Sequence, residues 1–243
     1  VFLPFLGTLL GSAYVFFLKD ELNRNLQRSL TGFAAGVMVA ASVWSLIIPA
    51  MDQSAHMGKL AFLPAFVGVW AGFGFLLLLD KLIPHLHLNA DSPEGIDLGL
   101  GKSTMMVLAV ALHNLPEGLA AGVGLGGGET AEGITLALGI ALQNIPEGLV
   151  LISPLLSSGI SPRRTLLTAS FTGIVEIFGT FLGYFFVGFS GALLPFALAL
   201  AGGSMLFVIC AEMIPECSLE GGSSGAFILL FGFCLMLGIS FFL

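Results

Sequence analysis

A helix that crosses a bilayer needs about 20 consecutive apolar residues, and runs of that kind make up most of this chain. Eight of them follow one another at about 1–18, 32–51, 61–80, 103–125, 131–156, 163–188, 192–213 and 225–243. In hydrocarbon every backbone amide must be satisfied internally, and an apolar run of that length does so as an α-helix. The reading is an all-α polytopic membrane protein with eight transmembrane helices in a single transmembrane domain, 1–243. Composition agrees: 9% of the residues are charged, against about 25% in a soluble domain. There is no basic patch, so nucleic acid is not an expected partner. The chain opens at Val1, already apolar, so a start Met and a few residues are expected to be missing; no cleavable signal peptide is recognisable.

Two heptapeptides inside the apolar runs repeat each other. His113-Asn114-Leu115-Pro116-Glu117-Gly118-Leu119 in the fourth run is matched, thirty residues later, by Gln143-Asn144-Ile145-Pro146-Glu147-Gly148-Leu149 in the fifth. An ionisable group at the bilayer centre costs about 2.5–3.5 kcal/mol on insertion scales, and such groups are functional by default. Positions i, i+3 and i+4 share a helix face. His113, Asn114 and Glu117 therefore project together, as do Gln143, Asn144 and Glu147 on the next helix. The connection Gly126-Gly127-Gly128-Glu129 is short, which makes the two helices antiparallel neighbours with both polar faces near mid-membrane. Pro116 and Pro146 cannot donate to Leu112 and Leu142. Each helix is expected to kink there and free a carbonyl, which protein, water or an ion must satisfy. Gly118 and Gly148 allow close helix approach.

Carboxylates, amides and one imidazole without a thiolate form a mixed nitrogen and oxygen set that suits a divalent transition metal. Such a site binds less tightly than a structural zinc site, as conduction requires. Cys210, Cys217 and Cys234 have no CxxC spacing and imply neither a disulfide framework nor a zinc finger. A single buried Asn or His in a membrane helix is more often an interhelical hydrogen-bonder. A matched pair of polar clusters with prolines is harder to explain in that way.

Other residues carry weaker signals. Glu176 is the only carboxylate in the sixth run; it is either a ligand or an acid held neutral by a hydrogen bond. Met38, Ser45 and Asp52 recur at intervals of seven, which on a regular helix places them along one stripe, with Asp52 near the outer mouth. A Met at helical spacing is usually packing. Glu212 is expected near the cytoplasmic end, as an exit-route ligand or an interfacial acid, and Glu216 and Glu220 beyond it are expected to be solvated. The loop 81–102 is the longest and carries His85, His87, Asp91, Glu94 and Asp97. It reads as a solvated linker or as a loose cytoplasmic metal-capturing site built on His85 and His87.

Seven of the eight basic residues, Lys19, Arg24, Arg28, Lys81, Lys102, Arg163 and Arg164, fall in odd-numbered loops; Lys59 does not. The positive-inside rule makes those loops cytoplasmic and both termini extracytoplasmic. Gly36-Val37-Met38 and Gly203-Ser204-Met205 match weakly at an offset of 167 residues and cross the membrane in opposite senses. Helices 1–3 are therefore expected to recur inverted as helices 6–8 around helices 4–5, a 3+2+3 plan common among transporters.

The paired HNLPEG and QNIPEG motifs on the fourth and fifth of eight runs resemble those of the ZIP family of divalent-metal transporters, its GufA-like branch most closely. The resemblance covers nearly the whole chain. It implies that His113, Asn114, Glu117, Gln143, Asn144 and Glu147 line a binuclear metal site bridged by the two glutamates, that Glu176 serves the second metal position, and that Met38 approaches the first. Some bacterial relatives carry Asp where Asn144 stands, so the second position here is expected to have one charge fewer. Ser45 and Asp52 would line the outer access route, and Glu212 the exit. The implied activity is import of zinc, with cadmium, iron or manganese as alternatives, by alternating access in a homodimer of the cell membrane. Metal is then the substrate, and no organic cofactor is expected. No Walker-type GxxxxGK[ST] is present, so the metal gradient, the membrane potential or proton exchange must drive transport. The rival readings are an intramembrane metal-dependent hydrolase, for which no HExxH exists, and a structural or receptor-like bundle that would tolerate loss of Glu117 and Glu147.

Overall fold

The computed structural model describes residues 1–18, 22–87, 92–127, 130–218 and 224–242. Lys19, Asp91, Gly128, Glu129 and Glu220, which figured in the reading above, lie outside them. The described chain is helical throughout its apolar runs: α1 (Leu3–Ala13), α2 (Arg24–Ala40), α3 (Ile48–Gln53), α4 (Phe62–Leu82), α5 (Lys102–Gly126), α6 (Thr130–Ser157), α7 (Pro162–Phe189), α8 (Leu194–Val208), α9 (Ile214–Ser218) and α10 (Ser224–Phe242). Two π-helical segments, Ala41–Ile47 and Ile209–Met213, join α2 to α3 and α8 to α9. Counting each joined pair as one rod, seven helices among the described residues are long and apolar enough to cross a membrane, and Leu3–Phe16 is shorter. The chain is an all-α polytopic membrane protein.

Local chemistry sets several of the boundaries. α2 begins at Arg24, well before its apolar run, because the Asn23 side chain accepts from the Asn25 amide at 2.9 Å and caps the helix in its polar part. α7 starts on Pro162, whose missing N–H is not needed in the first turn. The two π segments each end two residues before a proline, Pro49 and Pro215. The Ile48 amide bonds back to Val43 and the Ile214 amide to Ile209, five residues earlier in each case. A widened turn gives the proline ring room beside the carbonyl it would otherwise strike. By contrast, α5 and α6 remain continuous through Pro116 and Pro146. The π-helical segments thus fall in the second and seventh runs.

The first π segment has a further consequence. It lies between Met38 and Asp52 and changes the helical phase, so their spacing of seven no longer defines one stripe. Met38 is fully buried in the apolar core, Ser45 is half-buried and Asp52 is exposed.

The helices associate most extensively in four pairs: α5 with α7, α4 with α8, α1 with α6, and α2 with α10. With no hydrophobic drive between helices in lipid, close backbone contact through small residues is what favours pairing. Gly118 and Gly122 of α5 show the effect: a Cβ on either would strike the carbonyls of Glu176 and Thr180 on α7. The α1 and α7 contact and the α5 and α6 contact gather α1, α5, α6 and α7 into one group. α2, α4, α8 and α10 form another, joined to the first through α2 with α6 and α5 with α8. Large apolar side chains such as Phe66 and Trp70 of α4 and Phe227 and Phe231 of α10 face outward, where lipid solvates them.

Between α4 and α5 the loop is built rather than loose. His85 and Glu94 exchange backbone hydrogen bonds of 3.1 and 2.9 Å, and the Leu86 amide bonds to the Met105 carbonyl at 3.2 Å. Gly95 turns the chain with φ +79°, beside the Ile83 carbonyl. This fold-back carries His85 and His87 to the end of the bundle.

Candidate metal site

Three helices bring carboxylates together in the interior. Glu117 comes from α5, Glu147 from α6 and Glu176 from α7, and each lies within the electrostatic reach of the other two. Glu117 and Glu176 are 0% exposed, while Glu147 is half-buried beside an open cleft. Their oxygens are unusually bare. Both oxygens of Glu117, Oε1 of Glu147, Oε2 of Glu176 and Oε1 of Gln143 are buried without a hydrogen-bond partner in the protein. A buried polar atom without a partner costs about 1–3 kcal/mol, more when charged. Five such acceptors in one region, with no basic side chain among them, are the arrangement a cation completes.

The amides are partly engaged. Gln143 Nε2 donates to Asn144 Oδ1 at 3.0 Å, and Asn144 Nδ2 donates to the Pro4 carbonyl of α1 at 3.4 Å. The Gln143 Oε1 is left without a hydrogen-bond partner in the protein. Asn114 is buried, with its Nδ2 unpartnered. The structure therefore places Glu117, Gln143, Asn144, Glu147 and Glu176 near one another, with Asn114 buried on the same helix as Glu117.

His113 lies at the edge of that region, where the cleft begins. The cleft, about 600 Å³ counted to its open mouth, is lined by His87, His113, Glu147, Glu216, Thr31 and Met106, among others. It opens at the end that carries Arg24, Arg28, Lys81, Lys102, Arg163 and Arg164; Lys59 lies at the other end. Beside it, Glu212 Oε2 contacts His113 Nε2 and, at 3.1 Å, His87 Nδ1. The His87 and His113 rings stack with centroids 6.2 Å apart. Burial pushes the His87 imidazole below its usual range, against the opposing pull of Glu212, which favours the neutral form able to accept a metal. Beside it, His85 is 0% exposed, with Nε2 3.2 Å from Asp80 Oδ1 and Nδ1 2.8 Å from the Ile83 carbonyl. The ligand atoms of Asp80, His85, His87 and Glu94 lie within 4.8 Å of one another, and so do those of His87, His113 and Glu212. His87 belongs to both groups, so the donor atoms form a chain from the interior to the loop.

Sequence reasoning placed some of these residues differently. Glu216 is half-buried and lines the cleft, where a solvated residue was expected: it lies one turn beyond Glu212 on the same face. The loop is not a solvated linker around His85, which is fully buried. Asp80 and Thr8 were not singled out at all. Asp80 is the one acid at the end of the third apolar run, five residues before His85, and that spacing was a usable signal. Thr8 offered none. Met38, Ser45 and Asp52 are not among the residues that form the ion pairs and hydrogen bonds of this region; Ser45 lines small clefts with Pro49 and Glu132 at the opposite end.

Comparison with known proteins bears on this arrangement. Residues 89–240 match the family described as ZIP zinc transporter. The chain is 39% identical to the zinc transporter GufA of Myxococcus xanthus, over 89% of this chain and 86% of that protein. It is 34% identical to zinc transporter ZIP11 of Xenopus tropicalis, over 96% of this chain and 95% of the other. It is also 34% identical to zinc transporter ZIPB of Bordetella bronchiseptica, over 96% and 76% respectively.

Proposed function

Because this chain belongs to the ZIP family of zinc transporters, its relatives including GufA, we propose that it carries a divalent metal, zinc foremost, across the cell membrane toward the cytoplasm. The observation that carries this reading is the set of bare acceptors on Glu117, Gln143, Glu147 and Glu176, held between α5, α6 and α7. Structural glue would have its hydrogen bonds made, and bare acceptors favour a cation as their partner. His113, Asn114, Glu117, Gln143 and Glu147, with Asn144 and Glu176, are the proposed metal-binding set, in two adjacent positions, and Met38 is their proposed neighbour from α2. Cadmium, iron and manganese fit the same donor types.

The proposed route runs inward from this set to the His113, Glu212 and His87 group, then to Asp80, His85 and Glu94. Each group holds the ion with a few donors, and neighbouring groups share a residue, so the ion can pass on without full dehydration at any step. Ser45 and Asp52 are the proposed outer access route. We read the cleft beside His113 and Glu147 as the mouth of an inward-facing state, and alternating access would move the α1, α5, α6 and α7 group against α2, α4, α8 and α10. Eight proposed crossings, with Leu3–Phe16 as the first, in a 3+2+3 plan would put both termini on one side, and the basic residues of the odd loops favour the outer side. The proline-bounded π segments of the second and seventh runs support the inverted relation between the two outer triplets. A membrane potential of about 100 mV favours inward movement of a doubly charged ion by about 4.6 kcal/mol, from ~2.3 per charge.

The relatives are named as transporters, and nothing favours the hydrolase reading. The test is zinc uptake by purified chain in proteoliposomes under a set potential and pH. Wild type is expected to show saturable uptake and Glu147→Ala to abolish it. If wild type binds zinc but moves none under any gradient, transport is refuted and the receptor-like bundle becomes the better account.

A further inference from the structure

Helix α1 carries no ionisable side chain, yet it closes the back of the polar region. Thr8, 2% exposed, donates its hydroxyl to Oε1 of Glu176 on α7 at 2.5 Å. Oε2 of the same carboxylate is buried without a protein partner. Small residues on three helices make this contact possible. A Cβ on Gly148 of α6 would meet the Thr8 carbonyl oxygen and Ser12, and one on Gly173 of α7 would meet the Phe5 ring and lie 3.5 Å from the Thr8 Cβ. Gly7 and Gly11 of α1 press against the Ala141 and Ile145 carbonyls of α6. Thr8 is thus wedged between α6 and α7, and Gly148, part of the second motif, is one side of the wedge.

We propose that Thr8 is a positioning residue for the metal: its hydroxyl fixes one oxygen of Glu176 and aims the other into the site. A glutamate has three side-chain torsions, and its terminal one is soft. A carboxylate without a fixed oxygen could swing off the metal or take it with both oxygens. A hydroxyl donor restrains it without bringing a charge that would compete with the cation. Donors behind a ligating group orient it, and their removal typically weakens metal binding by about 10- to 100-fold. This inference rests on the reading of Glu176 as a metal ligand given above.

The experiment is equilibrium binding, independent of transport. Zinc is titrated calorimetrically into the full chain in detergent, and the ligand-field absorption of bound Co²⁺ is recorded for wild type, Thr8→Val, Thr8→Ser and Glu176→Gln, with thermal unfolding measured alongside. Val matches Thr in shape and lacks the donor; Ser retains it. Thr8→Val is expected to weaken binding by about 10- to 100-fold and to alter the Co²⁺ spectrum in the way Glu176→Gln does, while Thr8→Ser stays close to wild type. A Thr8→Val variant that binds like wild type while Glu176→Gln is impaired overturns the proposal, as does a Thr8→Ser variant as weak as Thr8→Val. If Glu176→Gln itself binds like wild type, the ligand reading fails first and the role of Thr8 falls with it.

Discussion

Glu212 lies where the interior polar set meets the cleft, and one of its oxygens serves two imidazoles, His113 on α5 and His87 on the loop. That double use makes it the residue at which a departing ion would exchange partners. Glu212→Gln removes the charge and keeps the shape. The expected outcome is maximal zinc uptake reduced about tenfold, with calorimetric zinc affinity within about twofold of wild type because Glu117, Glu147 and Glu176 remain. A variant whose affinity falls as much as its uptake would place Glu212 in the binding set itself. At this scale the sequence was legible wherever depth in an apolar run made a polar group conspicuous, as for Glu117, Glu147 and Glu176. It was mute about Thr8, because a hydroxyl in a membrane helix is cheap to bury and bonds its own helix in most places.

At the scale of elements, the α5 and α7 seam holds two of the three carboxylate helices in register. Gly118 leaves no room for a Cβ beside the Glu176 carbonyl, whereas Gly188, near the end of α7, has open space around it. Gly118→Val is expected to destabilise the chain by about 1–3 kcal/mol, read as a lower melting temperature in detergent, and to abolish uptake by shifting Glu176. Gly188→Ala is the matched control and is expected to leave both unchanged. Equal melting temperatures for the two variants would show that α5 and α7 can separate without loss. Helix existence could be read from the apolar runs. The π segments before Pro49 and Pro215 could not be placed from the sequence, where only Pro116 and Pro146 were read as kink sites. What decides is whether neighbouring helices can accept the widened turn, and that is a property of packing.

For the whole molecule, orientation is the property most open to a direct check. In a background without Cys210, Cys217 and Cys234, Lys59→Cys is expected to react with a membrane-impermeant maleimide from outside intact cells, and Arg163→Cys only after the membrane is opened; both positions are exposed. The reverse pattern would invert the proposed direction of transport. Which chemistry this molecule carries was determined by the sequence alone. Apolar runs of membrane length leave the backbone little choice but helix, and paired ionisable motifs within them are too costly to be incidental. Which atoms meet was decided only by the tertiary structure. Glu212 reaches His113 across 99 positions and Thr8 reaches Glu176 across 168, and the helices pair α1 with α6 and α5 with α7 rather than only in chain order. Hydropathy is a property of each segment, whereas a contact depends on which glycine-lined faces fit together, and in lipid, where every outer face is apolar, no periodic pattern announces that choice.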